Sequence, residues 1–202
     1  MLREPPGDID RVEALLGFPL PRDLRALYEL GDGEATIGLF EGHEWLPLKE
    51  VGRVHAQLRE PVWPGSELGW DKVVYDASPS GMVRRCSGHQ GWIPFAHDGS
   101  GNYLAVDMSP AAHGRAGQVI RVGRDYDTGP QFVADSVTTL LGRYLRWLQE
   151  DRFEIDDFVD PPRLELLPPT RDRPLTRAVV EAPGPPRVSP SCNRSASEST
   201  PV

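Results

Sequence analysis

Apolar side chains recur at helical spacing near both ends of residues 1–160 and in short strand-length runs between. Ile9, Val12, Leu15 and Leu16 share one face of a short helix that Asp8 can cap and Gly17 can stop. Leu20-Pro21 opens a second helix, with proline in the first turn, where its missing N–H costs nothing. Leu20, Leu24, Leu27 and Leu30 give that helix one buried stripe before Gly31. The breaker cluster Gly31-Asp32-Gly33-Glu34 leads into two strand-like runs, at 37–40 and at Trp45-Leu46. Helical spacing returns over 48–58, where Val51, Val54 and Leu58 face in and Lys49, Glu50, Arg53 and Gln57 face out. The pattern weakens over 59–91: Pro61, Pro64, Gly65 and Gly69 mark a loop, 72–75 has strand character, and 82–86 is not placed.

The stretch from Trp92 to Val122 carries the most information per residue. Asp98-Gly99-Ser100-Gly101 separates the apolar run Trp92-Ile93-Pro94-Phe95-Ala96 from the run that begins at Asn102, which is a hairpin signal. In the second run Tyr103 and Ala105 share one face while Leu104, Val106 and Met108 share the other. With both faces apolar, this strand belongs inside a sheet that is covered on each side. A loop with Pro110 and Gly114 leads to a third strand, closed by Gly117 and Gly123, completing an antiparallel meander. Beyond a turn at 125–130, Asp135 or Ser136 caps the strongest helix, whose stripe is Val137, Leu140, Leu141, Tyr144, Leu145 and Leu148. The reading is an α+β fold: an antiparallel meander flanked by N-terminal helices and a long C-terminal helix.

Composition changes after residue 160. Residues 161–202 hold ten prolines and no sustained apolar periodicity, and they are read as a disordered, proline-rich tail on a domain of residues 1–160. The domain carries 26 acidic against 16 basic residues, and the tail 4 against 6. An acidic body repels phosphate backbones and suits a cationic partner, which argues against direct nucleic-acid binding. Cys86 and Cys192 make no disulfide framework, and no apolar run is long enough for a membrane span or a signal segment. A soluble, cytoplasmic protein is expected.

Candidate chemistry is thin. His97-Asp98-Gly99-Ser100-Gly101-Asn102 imitates the start of a calcium loop but lacks its sixth-position glycine and closing glutamate. A turn in which Asp98 bonds its own backbone accounts for the same letters. Cys86 and His89 could supply two zinc ligands, but a structural site needs four. No nucleophile elbow, phosphate loop or dinucleotide fingerprint occurs, and Asp125 and Asp127 are carboxylates flanking a turn. Trp45, Trp70 and Trp92 are read as core anchors. The expectation is a protein without catalytic residues, metal or cofactor. A hydrolytic trio of His97, Asp98 and Asp107 is the remaining enzymatic alternative.

Taken in order, Leu20-Pro21, Leu27-Tyr28, Gly31-Asp32-Gly33-Glu34, Gly38-Leu39-Phe40 and Trp45-Leu46-Pro47-Leu48 resemble the first half of the SUKH superfamily, named for fungal cell wall assembly regulators. Trp92-Ile93-Pro94-Phe95, Asp98 to Asn102, Asp107 with Pro110, and Gly117-Gln118-Val119 resemble its second half. Trp92, Pro94, Asp98, Gly99, Gly101, Asp107 and Gly117 are the signature positions, expected to shape the domain. Gly31-Asp32-Gly33 stands where the family usually has Asn-Gly-Gly, and Val137 stands where it commonly has phenylalanine.

The resemblance implies a non-enzymatic binding domain. Bacterial members resemble immunity proteins that neutralise a toxin domain, whereas fungal members are regulatory hubs. Arginine outnumbers lysine by 20 to 2, a bias of high-GC bacterial genes that favours the immunity branch. The partner expected is therefore a basic toxin domain, such as a nuclease, met by Glu41, Glu44, Asp125 and Asp127. The alternative is a regulator or scaffold of the cell-wall-regulator type that acts through protein–protein contacts, with Pro183 to Arg187 as an extended ligand.

Overall fold

The strand Asn102–Asp107 is the middle of a five-stranded antiparallel sheet. In chain order the strands are β1 (Glu44–Trp45), β2 (Trp92–His97), β3 (Asn102–Asp107), β4 (Gln118–Gly123) and β5 (Gln131–Ala134), and sequence neighbours are sheet neighbours. The computed structural model describes residues 6–34, 38–59, 74–126, 129–156, 158 and 163–167. Four helices accompany the sheet: α1 (Pro6–Leu16), α2 (Arg22–Leu30), α3 (Leu48–Arg59) and α4 (Val137–Gln149). Helix α3 packs on β2 and α4 on β4 and β5, while α1 touches both α2 and α3. The class is α+β, and the meander runs as the alternation indicates.

Burial explains the register. Leu104, Ala105 and Val106 are all fully buried, so both faces of β3 are covered. Pro94 has no N–H to give to a neighbour, and β1 ends opposite Ala96, so proline occupies a stretch of β2 that lacks a partner on that side. A register shift between Pro94 and Ala96 frees the Phe95 carbonyl to accept the Leu46 N–H at 2.9 Å. Trp45 and Trp92 are buried, and Tyr28 packs on Trp45 with ring centroids 5.4 Å apart. Trp70 lies outside the described residues.

The Gly31–Glu34 loop clips α2 to the start of α3. Asp32 accepts the Leu48 N–H at 2.5 Å, capping α3 from outside the helix. Gly33 sits at φ +72, where a Cβ would come within 2.7 Å of the Pro47 nitrogen, so only glycine fits. Glu34 accepts the Leu39 N–H at 2.7 Å and donates its own N–H to the Trp45 carbonyl at 3.0 Å.

Several expectations need correction. On α2 the buried face is Leu24, Leu27 and Tyr28, and Leu30 is 78% exposed. Tyr28 takes the inner place because its hydroxyl donates to the Leu46 carbonyl at 3.0 Å. Leu15 and Leu145 also face outward. On α4 the stripe is centred on Val137, Leu140, Tyr144 and Trp147, which leaves Leu145 beside it rather than in it. Phe40 makes a bridge to His43 rather than part of a strand, Val74 and Tyr75 lie in no strand, and residues 37, 72 and 73 are outside the described set. Of the two capping candidates expected for α4, Ser136 is the cap, accepting the Thr139 N–H at 3.0 Å.

Two elements went unread in the sequence. One is β5; the other is a hairpin of β6 (Phe153–Asp156) and β7 (Arg163–Leu166) in which Phe153 pairs with Leu166. Helix α4 is therefore not the last described element, since β6 and β7 follow it. Leu166 is buried in the main core, which is what draws the hairpin in. Residues 168–202, and with them Cys192 and most of the proline-rich segment, lie outside the described residues.

Candidate functional site

Four of the residues singled out in the sequence, Glu44, His97, Asp98 and Asp125, gather at one end of the sheet. Register pairs Glu44 with His97, His97 with Tyr103, and Asn102 with Gly123, so the start of β1, the end of β2, the start of β3 and the end of β4 lie side by side. The Asp98–Gly101 turn caps this end. Asp98 accepts the Ser100 N–H at 2.7 Å and the Asn102 N–H at 3.1 Å on one oxygen, and the Asn102 side-chain amide at 2.7 Å on the other. Gly99 and Gly101 supply the positive φ values of 75° and 97° that the reversal requires.

Asn102 extends this network. Its amide also donates to Asp125 at 2.7 Å, and its carbonyl oxygen accepts the Asp125 N–H at 2.9 Å. Asp125 is thus held on the short helical turn Arg124–Tyr126, exposed, with Asp98 across the bridging amide. Partial burial pushes the Asp98 carboxyl up, but the Asn102 side chain and the two backbone N–H groups outweigh it and hold it below the usual range. Glu44 lies 3.7 Å from the His97 imidazole, whose Nδ1 accepts the Gly99 N–H at 3.1 Å.

Glu41 was expected to be an exposed contact, and here the structure corrects the reading. Its carboxylate pairs with Arg121, and the two side chains are only 20% and 14% exposed. Glu41 holds a left-handed φ of 55°, unusual outside glycine, and the pair with β4 keeps it there. His43 and Tyr144 are buried beside this pair, and burial before all else lowers the His43 pKa and raises that of Tyr144. Among the described residues His43 Nε2 and Arg121 Nε make no hydrogen bond, and the Tyr144 hydroxyl, near enough to Glu41 to feel its carboxylate, makes none in good geometry, so the polar cluster is only partly satisfied. Asp127 lies outside the described residues.

Asp107 is far from this end. It closes β3, so five residues, about 17 Å at strand rise, separate it from Asn102. The trio His97, Asp98 and Asp107 therefore forms no joint site. Asp107 is buried opposite Trp92, accepting from the Ser109 N–H and the Gln118 side chain, each at 2.9 Å. Gln118 also donates to the Met82 carbonyl at 2.8 Å, latching the 74–86 loop to the sheet. Burial raises the Asp107 carboxyl, partly offset by these donors and by the Trp92 indole, which stands outside good hydrogen-bond geometry. Arg121 and Gln118 were missed by sequence reasoning, although a charge inside the run Val119-Ile120-Arg121-Val122 is itself a sign of a buried partner.

Fold and site together define an α+β domain with a charged, internally braced surface at one end of its sheet. The chain belongs to the SMI1 / KNR4 family (SUKH-1), whose model matches residues 5–143. It is 28% identical to the glucan synthesis regulatory protein of Neurospora crassa over 83% of this chain and 38% of that protein. It is 31% identical to the cell wall biosynthesis/cell cycle regulator smi1 of Schizosaccharomyces pombe over 81% of this chain and 34% of that one. A KNR4/SMI1 homolog of Yarrowia lipolytica is 48% identical over 60% of this chain and 23% of its own length. The chain thus spans well under half the length of these relatives. Among the described residues, no helix is long and apolar enough to cross a membrane.

Proposed function

We propose that this domain is a non-catalytic protein-binding module of the regulatory kind, presenting the acidic end of its sheet to a partner that carries positive charge. The observation that supports this most is the family match over residues 5–143, with relatives named as regulators of glucan synthesis and of cell wall biosynthesis. The expected toxin partner has no counterpart among these relatives, so the regulator reading takes precedence over the immunity reading. Glu44 and Asp125 are the contacts we assign, with Asp127 beside them in sequence; Glu41 shapes the surface from beneath. Opposite charge across such a surface speeds encounter and selects among partners.

The test is affinity purification of the full chain from cells that make it, compared quantitatively with a chain ending at residue 167 and with the double variant Glu44→Gln/Asp125→Asn. A partner retained by the truncated chain and depleted by the double variant supports the reading. Partners lost only on truncation would move the function to the proline-rich segment. A partner that is itself a toxin domain, with killing blocked by this chain, would restore the immunity reading.

A further inference from the structure

The opposite end of the sheet holds a cleft of about 570 Å³, within the range of small-molecule sites. It is lined by the end of α1 with Phe18, by His55 and Arg59 of α3, by the turn at His89, and by Met108 and Ser109 after β3. Rigid elements set its walls. The His89 N–H caps the Leu58 carbonyl at 3.1 Å, and the Met108 N–H reaches the Gly91 carbonyl at 2.8 Å.

Two histidines in this wall are more than nine-tenths buried, His55 at 6% and His89 at 7% exposure. His55 Nε2 lies 2.7 Å from the Gln90 carbonyl and so donates to it. His89 Nδ1 accepts the Gly91 N–H at 2.9 Å, which places the ring proton on Nε2. Among the described residues that Nε2 makes no hydrogen bond, although its residue lines the cleft. Burial, with help from Arg59 for His55 and Arg84 for His89, holds both imidazoles below their ordinary pKa, so both are neutral donors at pH 7.

The charge is unlike that of the rest of the molecule. The chain carries a net −8, yet among the described residues no acidic side chain lines the cleft, Arg59 does, and Arg84 is near enough to act on His89. Arg59 makes no ion pair with any described residue. Phe18, Leu16 and Met108 add an apolar wall. We propose that this cleft is a ligand site for a small molecule bearing a carboxylate on a compact apolar body. The carboxylate meets Arg59 and the His89 Nε2–H, and the body lies against Phe18 and Met108. The site is independent of the partner surface and stands or falls without it.

The experiment is an NMR titration of the full chain with benzoate, hexanoate and octanoate, with hexanamide and acetate as probes lacking the charge or the body. Saturable shifts at Gly17, Gly91 and Ser109 with at least one of the three carboxylates, and markedly weaker ones with both controls, are expected. Arg59→Gln, at an exposed helix end, is expected to weaken binding about tenfold. Arg53→Gln, on the same helix but paired with Glu50, is expected to leave it unchanged. His89→Phe tests the buried donor, and Arg59→Gln decides the matter should that variant not fold. No shift with any of the three carboxylates, equal binding of hexanamide, or equal effects of the two arginine substitutions would overturn the proposal.

Discussion

Glu41 and Arg121, eighty residues apart in the chain, form an ion pair that fixes the loop before β1 against β4. Removing one partner of a shielded pair leaves the other charged and unsatisfied, which is costlier than losing both. Arg121→Met is expected to lower stability by about 3 kcal/mol in urea denaturation. Adding Glu41→Gln to that variant is expected to restore part of the loss. A change within about 0.5 kcal/mol for Arg121→Met would show that the pair does not brace this end of the sheet.

The two aspartates of the β3 hairpin are expected to titrate in opposite directions. Asp98 lies below the usual range, so the unfolded carboxyl, at about 3.9, takes its proton first as pH falls. Its stabilisation is complete above about pH 4 and is lost as pH drops through the lower folded value. Asp107 is raised, chiefly by burial, so there the native state takes the proton first and protonation favours the fold. Carboxyl carbon NMR against pH checks both, with the Asp98 midpoint below that of Asp107. The variant Asp98→Asn is expected to lose less stability than the parent between about pH 4 and 2.

Leu24 and Leu30 share a periodic stripe in the sequence but not in the fold. Leu24→Ala is expected to cost about 3 kcal/mol, because the side chain is fully buried, while Leu30→Ala is expected to stay within about 0.5 kcal/mol. Equal costs in thermal or urea unfolding would return α2 to the orientation its leucines alone indicate.

The Gly31–Glu34 clip gives a further contrast. Asp32→Ala removes the outside cap of α3 and is expected to cost about 1 kcal/mol. Gly33→Ala meets both a left-handed backbone and the Pro47 nitrogen, and is expected to cost about 2–4 kcal/mol. The order of the two melting temperatures is the readout.

What could be read from the chain was what its local chemistry carries. Asp98, Gly99 and Gly101 specify their turn through positive φ and a side chain that bonds its own backbone, so the meander was visible in advance. Leu104 to Val106 showed a strand buried on both sides because both of its faces are apolar. Strand β5 hid because Gln131 is exposed and Phe132 and Val133 are only half-buried, leaving no alternation to see. The β6–β7 hairpin straddles Pro161 and Pro162 and carries an exposed Ile155, so its letters resemble tail. Contacts across long separations leave no local trace. Arg121 gave away only that it needed a partner, not that the partner was Glu41, and the cleft draws on separate segments, two of them at the edges of the unplaced 59–91 region.

The acidic end of the sheet is proposed as the surface that meets a protein partner. It is tested most directly by measuring that partner's affinity for the parent and for Glu44→Gln/Asp125→Asn at two salt concentrations. The double variant is expected to keep the parent's melting temperature and to bind about tenfold more weakly, mainly through slower association, with a smaller salt dependence. Unchanged affinity and unchanged salt dependence in a folded double variant would contradict it.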